Sequence, residues 1–158
     1  MRKGVIGALC TVGGAFFGAL GVRKVMKDKV AHKSKMSEKH LALYLMMNQW
    51  VKVKQENRSI ADYLEKNGYR EIAIYGLNYV GETLMSELEN SNVKVMYAVD
   101  KNADRIFADV DVLTPDERLP EVDAVIVTPI TFFDEIEDCL SEKLDCPILS
   151  MEDILYEV

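Results

Sequence analysis

From about residue 70 onward, short apolar runs alternate with amphipathic stretches. The apolar runs have the length and composition of buried strands, and the amphipathic stretches repeat their apolar residues with the period of a helix. We predict strands at residues 71–75, 93–99, 109–113, 122–128 and 146–150, and helices at 79–90, 132–143 and 151–156. This alternation predicts an α/β fold with a parallel sheet of about five strands, right-handed crossovers and the strand order 3-2-1-4-5.

The junction between the first predicted strand and the helix after it carries a glycine pattern. Gly76 ends the apolar run, Gly81 follows where the helix begins, and a second apolar run ends in Asp100. A strand, a glycine turn, a helix and a second strand capped by an acid form the Rossmann mononucleotide unit. In that unit the helix N-terminus faces a phosphate and the acid binds a ribose. The pattern predicts a Rossmann-like nucleotide-binding domain at residues 69–158.

Asn78 stands where the G-x-G-x-x-G fingerprint has its middle glycine. Asn also tolerates a positive φ, so we expect the turn to keep its geometry while placing a side chain near the ligand. The alternative is a turn that only connects the sheet to a helix. Ligands of such sheets bind beyond the carboxyl ends of the strands, at the switch in strand order. The predicted cofactor-binding residues are Gly76, Asn78, Tyr79, Val80, Gly81, Asp100, Lys101, Thr128 and Pro129.

Three of these residues have a second interpretation. Asp100 is either a ribose-binding acid or an ordinary acid in the turn after a strand. Lys101 either favours a 2′-phosphate or is only solvated. Thr128 either lines the ligand or belongs to a turn that redirects the chain.

No catalytic or metal-binding set is predicted. The sequence has no Walker A motif and no Ser-His-Asp set, and Cys10, Cys139 and Cys146 lack metal-ligand spacing. Tyr97-x-x-x-Lys101 matches a dehydrogenase spacing, but that motif needs a helix and here falls at the end of a predicted strand.

The N-terminal part of the chain contains an uncharged stretch at residues 4–22. As a helix it would span roughly 28 Å, close to the thickness of a bilayer core. Basic residues dominate the segment behind it, so the positive-inside rule predicts a single-pass anchor at residues 1–22 with the C-terminal domain in the cytoplasm. The alternatives are a signal peptide cleaved near Ala19-Leu20-Gly21 and a buried or surface helix.

Two segments join the predicted anchor to the sheet domain. Residues 23–37 form a basic linker and residues 38–68 a helical segment. Ser37 is the predicted N-cap of a helix at 38–55, and Gly68 ends a second helix that starts after Ser59. Apolar residues cover more than one face of 38–55, which predicts packing on the sheet together with another surface or an oligomer contact.

The charge is divided unevenly along the chain. Residues 1–35 hold eight Lys/Arg and one Asp, whereas residues 36–158 hold eleven Lys/Arg and twenty-five Asp/Glu. Nucleic-acid binding needs a basic surface, so the acidic body argues against it.

Residues 71–150 resemble the small Rossmann-like domains of bacterial glycan-building enzymes. Examples are the N-terminal domains of nucleotide-sugar acyltransferases and the nucleotide-binding domains of membrane-bound polysaccharide epimerases and dehydratases. The resemblance rests on IAIYG-x-x-x-x-G-E-x-L (residues 72–84), YAVDKN (97–102) and VDAVIVTPI (122–130). It implies that Gly76, Gly81 and Asp100 contact a nucleotide or nucleotide-sugar. The left-handed β-helix that performs acyl transfer is absent from this sequence, so the resemblance implies no acyltransferase activity.

The sequence therefore predicts a membrane-anchored, cytoplasmic nucleotide-binding module that serves bacterial polysaccharide biosynthesis. Its expected ligand is NAD(P) or a nucleotide-sugar. Its expected partners are the membrane, through residues 4–22, and a second copy or a glycan-biosynthesis enzyme. One alternative is a membrane-tethered interaction protein whose degenerate site is empty. Another is a small NAD(P)-dependent reductase that needs a partner chain.

Overall fold

The computed structural model describes residues 33–158 of the chain. The described residues belong to two units, residues 33–43 and Tyr44–Val158, and the second unit contains the sheet. Residues 33–55 are helical (α1). The elements that follow are α2 (Ile60–Lys66), β1 (Glu71–Tyr75), α3 (Tyr79–Leu88), β2 (Lys94–Val99), β3 (Val112–Leu113), β4 (Ala124–Val127), α4 (Phe133–Ser141), β5 (Ile148–Ser150) and α5 (Met151–Glu157), with 3-10 turns at Ala103–Arg105 and Ile130–Phe132.

The five strands form one parallel sheet in the order β3-β2-β1-β4-β5. This confirms the predicted α/β fold and strand order. Tyr75 at the end of β1 pairs with Val99 of β2 on one side and with Val127 of β4 on the other. The carboxyl ends of the three central strands therefore meet at one edge, where the order of the strands reverses.

Both faces of the sheet are covered by helices, because β1 and β4 are apolar at successive positions. The face with Ile72, Ile74 and Ile126 packs against α2, α3, α5 and the part of α1 that follows Tyr44. The opposite face packs against α4, through Ile136 and Leu140.

Most predicted elements differ from the structure by one or two residues at an end, and two differ by more. Strand β3 is only two residues long, because residues 109–111, which include Asp109 and Asp111, lie in bends and a loop instead of a strand; Asp is depleted in strands. Ser37 lies inside α1 and is not its N-cap, because the helix already includes residue 33. The side chains around Ser37 are mostly Lys, Met and Glu, which favour continuation of a helix.

The predicted membrane anchor at residues 4–22 lies outside the described residues. Among the helices of residues 33–158, none has the length and apolar character needed to cross a membrane.

One carboxylate joins three helices on the α2–α3 side of the sheet. Glu87 of α3 accepts hydrogen bonds from the Trp50 indole N–H (2.6 Å) and from the Ile60 backbone N–H (3.1 Å). Lys54 pairs with the same carboxylate at 2.9 Å, and the Glu87 side chain is only 6% exposed. The amphipathic pattern of α3 does not distinguish this Glu from its exposed neighbours.

Two tyrosines are expected to make the fold less stable at alkaline pH. Burial and the nearby Cys146 raise the pKa of Tyr97 to about 12, and burial with the Glu157 hydrogen bond raises that of Tyr63 to about 12. In the unfolded chain a tyrosine titrates near 10. The raised pKa values of the two tyrosines therefore contribute fully to the stability of the fold below pH ~10, and this contribution is lost as the pH rises through ~12.

We expect alkaline unfolding to coincide with tyrosinate formation, followed by absorbance at 295 nm and by circular dichroism. Tyr97→Phe should remove one late-titrating group and weaken the pH dependence of stability in this window. An unchanged dependence in both Tyr97→Phe and Tyr63→Phe would contradict the assignment.

Candidate functional site

The turn after β1 requires glycine at its first position. Gly76 has a φ of +88°, which L side chains rarely adopt. A Cβ on Gly76 would lie 2.7 Å from the Pro129 ring and 2.8 Å from the Thr128 hydroxyl oxygen. The Gly76 N–H also donates to the Val99 carbonyl at 2.7 Å. Gly76 is thus enclosed by the ends of the two strands that flank β1.

The second glycine of the pattern brings α3 close to the turn. A Cβ on Gly81 would lie 2.4 Å from the Gly76 carbonyl oxygen. No side chain fits at that distance unless the helix moves away from the strand. This is the role of the third glycine in the fingerprint, close packing of the helix on the strand.

Asn78 does not adopt the positive φ expected of it. Its φ is −98°, and it is the N-cap of α3, with its side-chain oxygen accepting from the Val80 N–H at 2.9 Å. Asn is favoured both at N-caps and at positive φ, and here the glycine at position 76 already provides the positive φ. The exposed Asn78 side chain therefore accepts the hydrogen bond of the Val80 N–H, which is one of the donors that a phosphate would use.

Two other donors at this helix end remain open. Within the described residues, the backbone N–H groups of Asn78 and Tyr79 donate to no acceptor. The Tyr79 side chain is 86% exposed, whereas Val80 packs into the core. The helix dipole adds a partial positive charge at the same place.

Asp100 lies directly against the glycine turn. Its Oδ2 accepts from the Leu77 N–H at 3.1 Å, and its Oδ1 accepts from the Asn102 N–H at 2.8 Å and from the Asn102 side-chain amide at 3.3 Å. A carboxylate has about four acceptor positions, so one remains for a further donor. Lys101 is exposed beside it.

Thr128 and Pro129 close the turn from the other side. The Thr128 hydroxyl donates to the Gly76 carbonyl at 2.6 Å and lies 3.2 Å from the Tyr75 carbonyl. The residue is 2% exposed, so its hydroxyl holds β4 to the turn and does not face a ligand.

Seven of the nine predicted site residues therefore meet around one turn, and the Tyr79 and Lys101 side chains lie exposed at its surface. Sequence reasoning omitted Leu77 and Asn102. The spacing Asp100-Lys101-Asn102 is a signal for Asn102, since an Asp side chain commonly bonds the N–H two residues further on. The Leu77 N–H has no such signal, because its acceptor Asp100 lies 23 residues further along the chain, just after β2.

The surroundings of the turn are acidic. Burial, followed by Cys139, Asp100 and Asp116, raises the pKa of Tyr75 at the end of β1. The positive N-terminal end of α3 lies beside the Asp100 carboxylate, which accepts from the Leu77 N–H. This arrangement suits a ligand with a phosphate next to a hydroxyl-bearing sugar.

A groove leads away from the turn along α3. It begins at Leu77, has a volume of about 670 Å³ and includes the apolar side chains of Met85, Met96, Phe107 and Val110. The groove lies where a full βαβ crossover would carry a helix, since only the 3-10 turn Ala103–Arg105 lies between β2 and β3. Its volume is within the usual range of small-molecule sites.

A second groove, of about 880 Å³, lies at the opposite edge of the sheet. Residues 116–122 and 143–146 line it, and these precede the amino ends of β4 and β5. It has no residue in common with the glycine turn.

Comparisons of the chain with protein-family models, with curated proteins and with solved structures gave no match. The resemblance of residues 71–150 to glycan-biosynthesis domains therefore stays a prediction. The chemistry proposed for the turn rests on its geometry.

Proposed function

We propose that the sheet domain binds a nucleotide, with the phosphates at the N-terminus of α3. The observation that carries the proposal is the pair of open backbone donors on Asn78 and Tyr79, beside a glycine turn that Asp100 contacts. Backbone N–H groups at a helix N-terminus are a common anion site. The Asn78 side chain would rotate away from Val80 and leave a third donor to the phosphate.

The proposed ligand is a nucleotide-sugar or NAD(P). The free acceptor position of Asp100 suits a ribose hydroxyl, and the exposed Lys101 suits a 2′-phosphate or a sugar substituent. The groove that starts at Leu77 is lined by both apolar and charged side chains, and its apolar residues Met85, Met96 and Phe107 suit a base or another flat group.

The wider proposed role is a module held at the cytoplasmic side of a bacterial membrane and serving polysaccharide biosynthesis. The uncharged residues 4–22 and the basic residues after them support the anchor. The resemblance of residues 71–150 supports the pathway. No catalytic set is assigned, so a partner enzyme would perform the chemistry.

A ligand screen tests this function. The full chain in detergent micelles is heated with NAD, NADP, UDP-sugars or coenzyme A in turn. A ligand at a hundred times its Kd stabilises the folded state by ~2.7 kcal/mol, which raises the melting temperature measurably. Absence of a shift with every compound at millimolar concentration would contradict nucleotide binding.

Two substitutions of Asn78 distinguish its role as the N-cap of α3 from its effect on phosphate binding. Asp caps a helix about as well as Asn, so Asn78→Asp should leave stability nearly unchanged while its charge repels phosphate. We expect its nucleotide affinity to fall at least tenfold, or ~1.4 kcal/mol, by calorimetry. Asn78→Gly should cost a few tenths of a kcal/mol in stability and leave affinity equal or higher. Equal affinities in the two variants would place the ligand elsewhere.

A second candidate is an interaction module whose nucleotide site stays empty. Its support is that groups of the turn bond one another, since Asn78 accepts from the Val80 N–H and Asp100 accepts from the Leu77 N–H. A negative ligand screen together with retention of a partner protein by the folded chain would favour this candidate.

A further inference from the structure

An irregularity in β2 turns one side chain toward the groove along α3. Ile72 of β1 pairs with Val95 of β2. The next residue of β1, Ala73, pairs with Tyr97, so Met96 has no partner in β1. Successive residues of a regular strand point to opposite faces, whereas Val95 and Met96 both line this groove. Such bulges redirect side chains and are frequent next to functional sites.

An aromatic side chain faces solvent at the same groove. Phe107, in the loop between β2 and β3, is 100% exposed, and Met96 is 46% exposed. Met85 of α3 also lines the groove and is half-buried. Methionine makes favourable contacts with aromatic rings, and an exposed aromatic side chain stacks on a base. Three separate parts of the chain thus supply apolar side chains around a space that suits a planar ring.

The charged side chains of the groove select among planar groups. Glu82, Glu89 and Asp109 line it with Lys94, so carboxylates are in excess. Within residues 33–158, the three carboxylates accept no hydrogen bond and form no ion pair. A carboxylate only accepts hydrogen bonds, so these groups suit a ligand that donates from an amino group. The excess of negative charge also disfavours a second phosphate or an anionic lipid in the groove.

The groove is continuous with the glycine turn. Leu77 lines the groove, and its backbone N–H donates to Asp100 Oδ2 at 3.1 Å. A ligand whose phosphate contacts the start of α3 and whose sugar contacts Asp100 therefore directs its next group into the groove.

We infer that the groove along α3 binds the base of the nucleotide, that this base carries an exocyclic amino group, and that Phe107 stacks on it. The inference rests on the proposed function and narrows it, because it selects adenine nucleotides over UDP-sugars and makes Phe107 a residue that determines specificity. Adenine donates from its amino group, whereas a pyrimidine with a carbonyl at that position, such as uracil, offers an acceptor to the carboxylates.

Phe107→Trp places a fluorescent reporter at the proposed stacking position. The full chain is reconstituted into phosphatidylcholine nanodiscs, and Trp emission is excited at 295 nm. The native Trp50 is 3% exposed and adds a constant background. Tyr156→Trp, at a position 62% exposed on α5, is the matched control. AMP, UMP, adenosine and ribose 5-phosphate are titrated in turn.

AMP is expected to quench the Phe107→Trp chain saturably and to bind roughly tenfold more tightly than UMP, which lacks the donor to a charged acceptor. Ribose 5-phosphate carries the phosphate without a base and should leave the emission unchanged. None of the four compounds should quench the Tyr156→Trp chain. Absence of saturable quenching by AMP, or equal affinities for AMP and UMP, would overturn the inference.

Phe107→Ala gives a second measurement on the native fluorescence background. Loss of base–aromatic stacking should lower the AMP affinity roughly fivefold or more by calorimetry. Phe107→Tyr keeps an aromatic ring and should retain most of the affinity. Because Phe107 is fully exposed, neither variant should change the melting temperature. An AMP affinity that is the same in Phe107→Ala as in the native chain would also contradict the inference.

Failure of the proposed function is visible separately. If adenosine quenches the Phe107→Trp chain at the same concentrations as AMP, the phosphate site at α3 fails and the base site stands. If AMP shifts the Tyr79 amide resonance without quenching the Phe107→Trp chain, the phosphate site stands and the base site fails.

Discussion

Gly76→Ala is expected to destabilise the sheet domain by about 3 kcal/mol or more. A non-glycine residue in the left-handed region costs about 1–2 kcal/mol, and the new Cβ adds an overpacking cost of about 1–3 kcal/mol. The second cost arises because the Cβ would lie 2.7 Å from the Pro129 ring. Denaturant unfolding followed by circular dichroism measures the difference.

Gly68→Ala is the matched control for this substitution. Gly68 has a φ of +82°, close to that of Gly76, but a Cβ there would meet nothing within 4 Å. It should cost only the conformational strain, about 1–2 kcal/mol. The difference between the two variants isolates the close contact of β4 with the glycine turn. Equal losses would mean that the turn tolerates a side chain.

Glu87→Ala is expected to destabilise the domain by about 3 kcal/mol. The substitution leaves the Trp50 indole N–H and the Ile60 backbone N–H without their acceptor, and each hydrogen bond to a charged group contributes about 1.5–3 kcal/mol. The melting temperature should fall by roughly 10 °C for a domain of this size.

Glu89→Ala provides the control for Glu87→Ala. Glu89 is exposed and lies next to the same helix end, so its removal should change the melting temperature little. Glu87→Gln should fall between the two, because the amide keeps an acceptor oxygen but loses the charge. A Glu87→Ala variant as stable as Glu89→Ala would mean that the three helices are held together by apolar packing alone.

The strand order and the glycine turn were predictable from the sequence because their signals are local or periodic. The apolar run before Gly76 and the run at residues 122–128 are typical of central strands, and both are central in the sheet. The short β3 was less predictable. It pairs only with Ala98 and Val99 at the end of β2, and this pairing depends on the path of the loop between them.

The roles of Asn78, Thr128 and Glu87 depend on the tertiary structure. Asn is suited to an N-cap and to a positive φ alike, and only the geometry of Gly76 decides between them. The Thr128 hydroxyl bonds a carbonyl 52 residues away in the chain, and the partners of Glu87 lie on two other helices. No periodicity in the sequence carries this information.

The central claim is that phosphate binds the open donors at the start of α3. Amide NMR of the ¹⁵N-labelled full chain in micelles, titrated with NAD, NADP and a UDP-sugar, tests it most directly. The account predicts a saturable shift of the Tyr79 and Val80 amide resonances with at least one of these ligands, since Val80 exchanges its Asn78 partner for a phosphate oxygen. Tyr79 and Val80 resonances that stay unchanged at saturating concentrations of all three would contradict it.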